Sequence, residues 1–503
     1  MTLRQSTSER SFKLLLGLVI AILILRWTLM ILMPFGLHGD EAQYWSWSRE
    51  PDWGYYSKPP LIAWVIAAFT AVFGHAEWAI RLPSALFHGL TTLVIYATAK
   101  RAFDERTAFW AALTFYLMPA VWLSSSIIST DVPLLLCWAL ALNAWVALRE
   151  RASWPRAIQL GLAIGFGLLA KYAMLFFLPV IALAILLDKP TRTALLSLKG
   201  LLALLIVGAI FTPNIIWNLN HDFATLSHTA DNANLSGPLF NVGELLTFWG
   251  DQFGVFGPLS LPLLIIALLK WRSLPPFAGW CVLLVLTPMT IISFQAFLSR
   301  ANANWAVTAY IAAPILIALF AVTRPKVLRV LKYGLIGQSV IMVAIGFILL
   351  SPSMTDALGL TNSVKRLRAW PATVDTVDSL YQAGHEGKAF THVTTDNRLV
   401  YYGLQYYGLK ERSPLYVWSP NAVPNNHAEM TAPLPRTDGP VLILNHYKNY
   451  DAYFEESFGR LIPQPPLEID LGGGETRTLK IWIGYDYVPA AERVQKAKVK
   501  DTP

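Results

Sequence analysis

The chain has 503 residues, 54% of them hydrophobic and only 14% charged, and its mean hydropathy is +0.44. Soluble globular chains carry about 25% charged residues, so this composition excludes a soluble monomer and marks a membrane protein. The 19 Trp, 25 Phe and 19 Tyr exclude fibrous, collagenous and disordered classes. The net charge of +8 is not a nucleic-acid signature: residues 1–351 hold 24 basic and 15 acidic side chains, residues 352–503 hold 16 and 17. The basic excess belongs to the apolar part, and no nucleic-acid partner is expected.

Apolar runs recur from Leu14 to Leu350 and predict about eleven membrane helices, near 13–33, 80–99, 107–126, 132–148, 157–170, 172–187, 200–217, 246–269, 277–296, 304–322 and 334–351. Basic clusters fall between them at Arg4/Arg10/Lys13, Lys100/Arg101/Arg106, Arg149/Arg151/Arg156, Lys189/Arg192/Lys199, Lys270/Arg272 and Arg324/Lys326/Arg329/Lys332. The intervening outer segments hold only Arg49, Lys58, Arg81, Lys171 and Arg300, so the positive-inside rule puts the N-terminus in the cytoplasm. An odd number of spans then puts the C-terminus outside. The first run is too long for a signal peptide and lacks a small-residue cleavage site, which predicts a retained anchor. Arg26, within that run, is expected to pair internally or snorkel. Cys137 and Cys281 lie in apolar runs and imply neither a disulfide framework nor a cysteine metal site.

After Ser351 the composition becomes that of a soluble domain. The expected division is a helical membrane domain, 1–351, with a long first outer segment at 34–79, followed by a small α/β domain, 352–503, on the outer face. Lys388–Val393, Val441–Asn445 and Leu479–Gly484 read as strands, punctuated by Pro463–Pro466 and Gly472–Gly474. The charged stretch 490–503 is expected to fray.

The outer segments carry the candidate chemistry. A connector between two helices needs about 2 to 8 residues, so the long first segment, dense in Trp and Tyr, predicts a functional loop. Asp40 and Glu41 stand where the first helix emerges, near aromatics suited to sugar faces, Tyr44, Tyr55 and Tyr56 among them. Paired acids there suit general-base work on a hydroxyl; the alternative is that they cap the helix starting near Ala42. Lys58, in YYSKPPL, is held out of a helix by Pro59 and Pro60, which makes its ammonium a candidate phosphate ligand or a snorkelling lysine. Arg81, Lys171 and Arg300 are the other outward cations that could neutralise a phosphate.

Asp131, in STDVPLLL, is the sole charge between residues 107 and 148 and falls on the same side as Asp40, so it is a second candidate acid; its alternative is helix initiation before Pro133. In the outer loop 218–245, His221 and His228 are seven residues apart, which on one helix would share a face and with a carboxylate could hold a metal. Such loops are more often polar surface or substrate contacts, and a divalent metal is allowed but not expected. Asn302 and Asn304, in LSRANANW, offer amides to sugar hydroxyls or cap the following helix.

The ordered set HGDEAQYW, YYSKPPL, RLPSAL, STDVPLLL and GLLAKYAMLF resembles the membrane half of bacterial polyprenyl-phosphate-sugar glycosyltransferases. These form the protein O-mannosyltransferase-like branch of the GT-C superfamily, which includes the lipid A aminoarabinose transferases. The resemblance covers about residues 10–320. It implies a polytopic α-helical fold of GT-C type with a C-terminal periplasmic α/β domain, located in the bacterial inner membrane. It maps the acid that acts at the acceptor hydroxyl onto Asp40, a second aspartate onto Asp131, and the carrier-phosphate lysine onto Lys58. Relatives often carry an arginine shortly after the acidic pair, where this chain has Gln43 and Tyr44.

The implied reaction moves a sugar from a polyprenyl monophosphate, undecaprenyl phosphate in particular, to a lipid, glycan or protein acceptor by a single inverting displacement, with no cofactor required. Two other classes compete: a lipid-linked-glycan transporter or flippase, disfavoured because the ionisable groups crowd one face instead of the mid-membrane, and a non-catalytic glycan-binding assembly protein. The C-terminal domain is expected to shape acceptor access and not to take part in the chemistry.

Overall fold

The structure, a computed structural model, describes residues 3–231, 239–446 and 450–493, with side chains from residue 9 onward. Most of the charged tail 490–503, and part of the outer loop 218–245, thus lie outside the described residues. The chain forms two compact units: Met1–Leu32 with Asp52–Phe347, and Met33–Pro51 with Ile348–Pro503. The domain division was expected near residue 352 with residues 34–79 in the membrane part; the compact units divide at Ile348, and residues 33–51 group with the second.

Every run expected to be helical is so, in one piece or two. Among the described residues six helices are long and apolar enough to cross a bilayer, or eight if each bent pair counts as one span. Leu61–Phe73, Trp154–Ala170 and Ala309–Val322 are shorter apolar helices. The predicted span 246–269 is not a single rod: Val242–Phe256 and Ser260–Leu269 meet at 110°. The cause lies in the intervening Gly257-Pro258. Gly257 has φ +98°, closed to other residues, and a Cβ there would run into Gln338 Oε1. A second bend, of 109°, separates Tyr172–Leu187 from Lys189–Leu195. There Asp188 caps the new helix by accepting from Thr191 N at 3.0 Å.

Ala309–Val322 is buried along its whole length, as a helix apolar on every side must be, and forms part of the core with Trp138, Trp145, Phe177 and Phe256. The basic clusters converge at the helix ends: Arg101 pairs with Glu150 at 2.6 Å, and Arg149 makes a bidentate bond to Asp188. Arg324 donates to Ser273 Oγ at 3.0 Å. Asp131–Glu150 has 20 residues, hence about 30 Å from end to end, close to the hydrocarbon thickness of a bilayer. Asp131 therefore lies at the end of this unit opposite the basic cluster at Arg149.

The second unit is built on a five-stranded sheet in the order β2-β1-β3-β5-β4, with β1 His392–Thr395, β2 Leu415–Val417, β3 Val441–Asn445, β4 Phe458–Gly472 and β5 Glu475–Tyr487. β1 runs parallel to β2 and β3, while β5 is antiparallel to β3 and β4. The central β3 is buried throughout and was legible as a continuous apolar run. β4 was not, because Pro463, Pro465 and Pro466 read as a loop. They are tolerated there because β4 is an edge strand and its register shifts between Gln464 and Leu467. Gly473 and Gly474, both at positive φ, close the β4–β5 hairpin.

Candidate active site

In the second unit, the segment Gly36–Gly39 leads into the helix Gly39–Arg49. Gly36 N donates to Leu367 O at 2.9 Å, and Leu37 N donates to Tyr407 Oη at 2.9 Å. A Cβ on Gly39 would lie 2.8 Å from Leu399 Cβ, so glycine is what lets this helix approach the helix Arg398–Tyr406 so closely. Trp45 meets the edge of Tyr406 at 4.9 Å, and Trp47 packs on His427.

The two adjacent acids of this helix have separate roles. Glu41 is 2% exposed, and its Oε2 accepts from His38 N at 2.9 Å, while His38 Nδ1 accepts from Asp40 N at 3.2 Å. This is a reciprocal helix cap with histidine in the place usually taken by Ser or Thr. The capping alternative thus describes Glu41, which was expected to share the chemistry. Asp40 keeps a side chain 43% exposed. Its Oδ1 accepts from Arg398 Nη1 at 3.2 Å, and its Oδ2 has the His38 ring at 3.7 Å. The same Nη1 donates to the Oε1 of Gln43, a buried side chain. Arg398, which is not among the cations singled out from the sequence, is therefore the cation of this cluster. It follows the carboxyl end of β1, where Asn397 Oδ1 caps its helix by accepting from Leu399 N and Val400 N. Tyr44, expected as a sugar platform, is 7% exposed and packs on Trp47.

In the helical unit a different group assembles. Asp131 is the first residue of its helix, whose N-cap residue Thr130 makes no side-chain cap. Its Oδ1 accepts from Lys171 Nζ and its Oδ2 from Asn304 Nδ2, each at 2.6 Å. Lys171 breaks out of the helix Trp154–Ala170 in extended conformation, and Asn304 sits on the 3-10 turn Ala303–Ala306. Three segments thus converge on one carboxylate, whose side chain is 8% exposed. Lys171, expected as a phosphate cation, and Asn304, expected as a sugar ligand, are both turned to Asp131.

Lys58 closes a tight turn with Tyr55, the backbone pair exchanging bonds of 3.1 and 3.4 Å, and the next helix begins only at Leu61, past the two prolines. This loop is fixed to the helix Leu198–Asn220. Asp52 Oδ2 accepts from Trp217 Nε1, and Trp53 O accepts from Asn214 Nδ2, both at 2.6 Å. Tyr55 is buried, and its carbonyl accepts from Thr225. Asn214 Oδ1 in turn accepts from the hydroxyl of Tyr172, the neighbour of Lys171, at 2.9 Å. The loop that carries the Lys58 turn is therefore linked to the neighbour of Lys171 through the Trp53 carbonyl, Asn214 and Tyr172, while Asp52, which sequence reasoning did not single out, ties the same loop to Trp217.

The remaining candidates scatter. Arg81 is buried at 1% exposure within Glu77–Ala102, and Arg300 is exposed, its carbonyl accepting from Gln295. Asn302 precedes the 3-10 turn without capping it. His221 and His228 do not share a helix, because Asp222 and Phe223 at positive φ break the chain between them. His221 stacks on Trp217 at 4.0 Å, and His228 meets the ring of Tyr56. Among the described residues no three His, Cys, Asp or Glu side chains converge.

Residues 57–217 match the dolichyl-phosphate-mannose-protein mannosyltransferase family. The fold is similar to the crystal structure of ArnT from Cupriavidus metallidurans in the apo state, with a TM-score of 0.61 at 17% identity over 93% of this chain and 97% of that one. It is equally similar to ArnT bound to undecaprenyl phosphate, with a TM-score of 0.62. In sequence the chain is 37% identical over 420 residues to the lipid A galacturonosyltransferase RgtD of Rhizobium johnstonii, covering 80% of this chain and 85% of that protein. It is 29% identical to an undecaprenyl phosphate-alpha-4-amino-4-deoxy-L-arabinose arabinosyl transferase of Pseudomonas fluorescens, over about half of each chain. The chain belongs to the bacterial ArnT-like glycosyltransferases of the GT-C superfamily, as its motifs implied. It is a multi-pass membrane glycosyltransferase.

Proposed function

We propose that the protein moves a galacturonosyl residue from undecaprenyl phosphate to a lipid A-type acceptor at the periplasmic face of the inner membrane. The observation that carries this reading is the match to a lipid A galacturonosyltransferase along most of both chains; the aminoarabinose transferase aligns over only half. The ArnT structure bound to undecaprenyl phosphate supports the donor class. The basic clusters at one end of the helical unit support a cytoplasmic N-terminus and a periplasmic second unit.

The acceptor hydroxyl attacks the anomeric carbon, the bond from that carbon to the phosphate oxygen breaks, and the carrier phosphate leaves with the electron pair. Asp40 takes the hydroxyl proton. It is the candidate acid that is half exposed and not consumed by a cap. Lys58 stabilises the departing phosphate from the turn it closes with Tyr55, where the prolines that follow hold it ahead of the helix starting at Leu61. Asp131 holds the braced outer end of the helical unit in place.

Purified protein incubated with undecaprenyl-phosphate-linked galacturonate and lipid A is expected to yield galacturonosylated lipid A, read by mass spectrometry. Transfer of aminoarabinose but not galacturonate would overturn the sugar assignment, and no transfer from either carrier would overturn the donor class.

A further inference from the structure

We propose that Arg398, which follows β1 in the second unit, is a positioning residue for the general base Asp40, acting together with Gln43. The inference rests on the reading of Asp40 as base. Three observations carry it.

The first is where this arginine stands. Arg398 opens the helix Arg398–Tyr406, whose first turn contains no acid. A cation there opposes the positive end of the helix dipole, so the helix gains nothing from it. The second is geometric: a single Nη1 donates both to Asp40 Oδ1 at 3.2 Å and to Gln43 Oε1. Asp40 and Gln43 are three residues apart on one helix face. Gln43 is 3% exposed, so a buried amide fixes the guanidinium, and the guanidinium fixes one oxygen of a carboxylate that is otherwise open to solvent. The third is topological. β1 lies between β2 and β3, and the connection from β2 to β3 passes over it, so the carboxyl ends of β1 and β3 form the position where open α/β sheets gather their working loops. The two ends are joined there, Asp396 Oδ1 accepting from His446 N at 2.8 Å.

The pair is too exposed to serve stability. With side chains 37% and 43% exposed, it belongs to the class of ion pairs worth about 0 to 1 kcal/mol. What it supplies is orientation, leaving Oδ2 to meet the acceptor hydroxyl. The C-terminal part of the chain, expected to stay outside the chemistry, thus contributes a side chain that sets the base.

The test uses the full-length protein in detergent, with undecaprenyl-phosphate-linked galacturonate as donor and lipid A as acceptor. Arg398→Gln is expected to lower kcat about ten- to a hundredfold, the cost of a slightly misplaced reacting group, with the donor KM and the melting temperature unchanged. Arg398→Lys is expected to recover part of the loss, since it keeps the charge but not the planar fork. In an Asp40→Asn background Arg398→Gln should cost nothing further, because it acts only through Asp40. A wild-type kcat in Arg398→Gln, or the same loss repeated in the Asp40→Asn background, overturns the inference. So does a loss tied to a lowered melting temperature that lysine does not restore. If Asp40→Asn itself turns over at the wild-type rate, the base assignment falls and this inference with it. An inactive Asp40→Asn beside a fully active Arg398→Gln removes this inference alone.

Discussion

Asp131 in the helical unit and Asp40 in the second unit each face a cation, yet their surroundings differ in the two respects that decide what a carboxylate can do. Asp131 has both oxygens bonded, to Lys171 and Asn304, and its side chain is 8% exposed. Asp40 has one oxygen engaged by Arg398, and its side chain is 43% exposed. A carboxylate held at both oxygens by donors from two other segments and closed off from solvent is a tie. One oriented through a single oxygen keeps a lone pair for a proton. Residue type and position near a helix end did not separate them, because the difference lies in partners supplied from 40 and 358 residues away.

The sharpest way to break this contrast is to neutralise each acid. Asp40→Asn is expected to lower kcat by about 10² to 10⁴ with little change in donor KM or thermal stability, as removal of a general base does; steady-state transfer and a melting curve read both. Asp131→Asn is expected to show the reverse emphasis. It leaves the largely buried Lys171 ammonium without its counter-charge and costs about 3 to 5 kcal/mol of stability. Thermal melting in detergent checks this, and Asp131→Asn/Lys171→Met should regain much of the loss. An Asp131→Asn protein that melts normally but is inactive would make Asp131 the chemical group.

Lys58→Ala is expected to weaken carrier-phosphate binding by about 1.5 to 3 kcal/mol, the worth of a hydrogen bond to a charged group, whereas Lys171→Met should leave donor affinity near wild type. Titration of undecaprenyl phosphate against both variants compares them, and equal losses would erase the distinction drawn between the two lysines. Gly39→Ala sharpens the account of the second unit. The added methyl would press on Leu399 and cost about 1 to 3 kcal/mol as an overpacked contact, read as a lowered melting temperature with a fall in kcat. An unperturbed Gly39→Ala would show that the approach of the two helices there is not what sets Asp40 beside Arg398.

Local signals were read well where the cause is local. Apolar runs set the helices, and β3 stood out as a continuous buried strand. The bend at Gly257-Pro258 was present as a glycine–proline pair but was overridden by the apolar run around it. Strand β4 was hidden by prolines that only an edge position tolerates. The candidate site was legible by residue type: Asp40, Asp131, Lys58, Lys171 and Asn304 were all singled out. Their partnerships were not, because no spacing in the chain relates Asp131 to Asn304 or Asp40 to Arg398. The affiliation of residues 33–51 was equally hidden. Gly36 and Gly39 signal a close approach only once Tyr407 and Leu399 are known to occupy the space.

The central claim is a single displacement in which Asp40 receives the acceptor proton, and the anomeric configuration of the product tests it most directly. NMR of the transferred sugar, compared with the polyprenyl-phosphate donor, is predicted to show inversion at the anomeric carbon. Retention of configuration would require a second displacement and a covalent or exchanged intermediate, and would contradict the role given to Asp40.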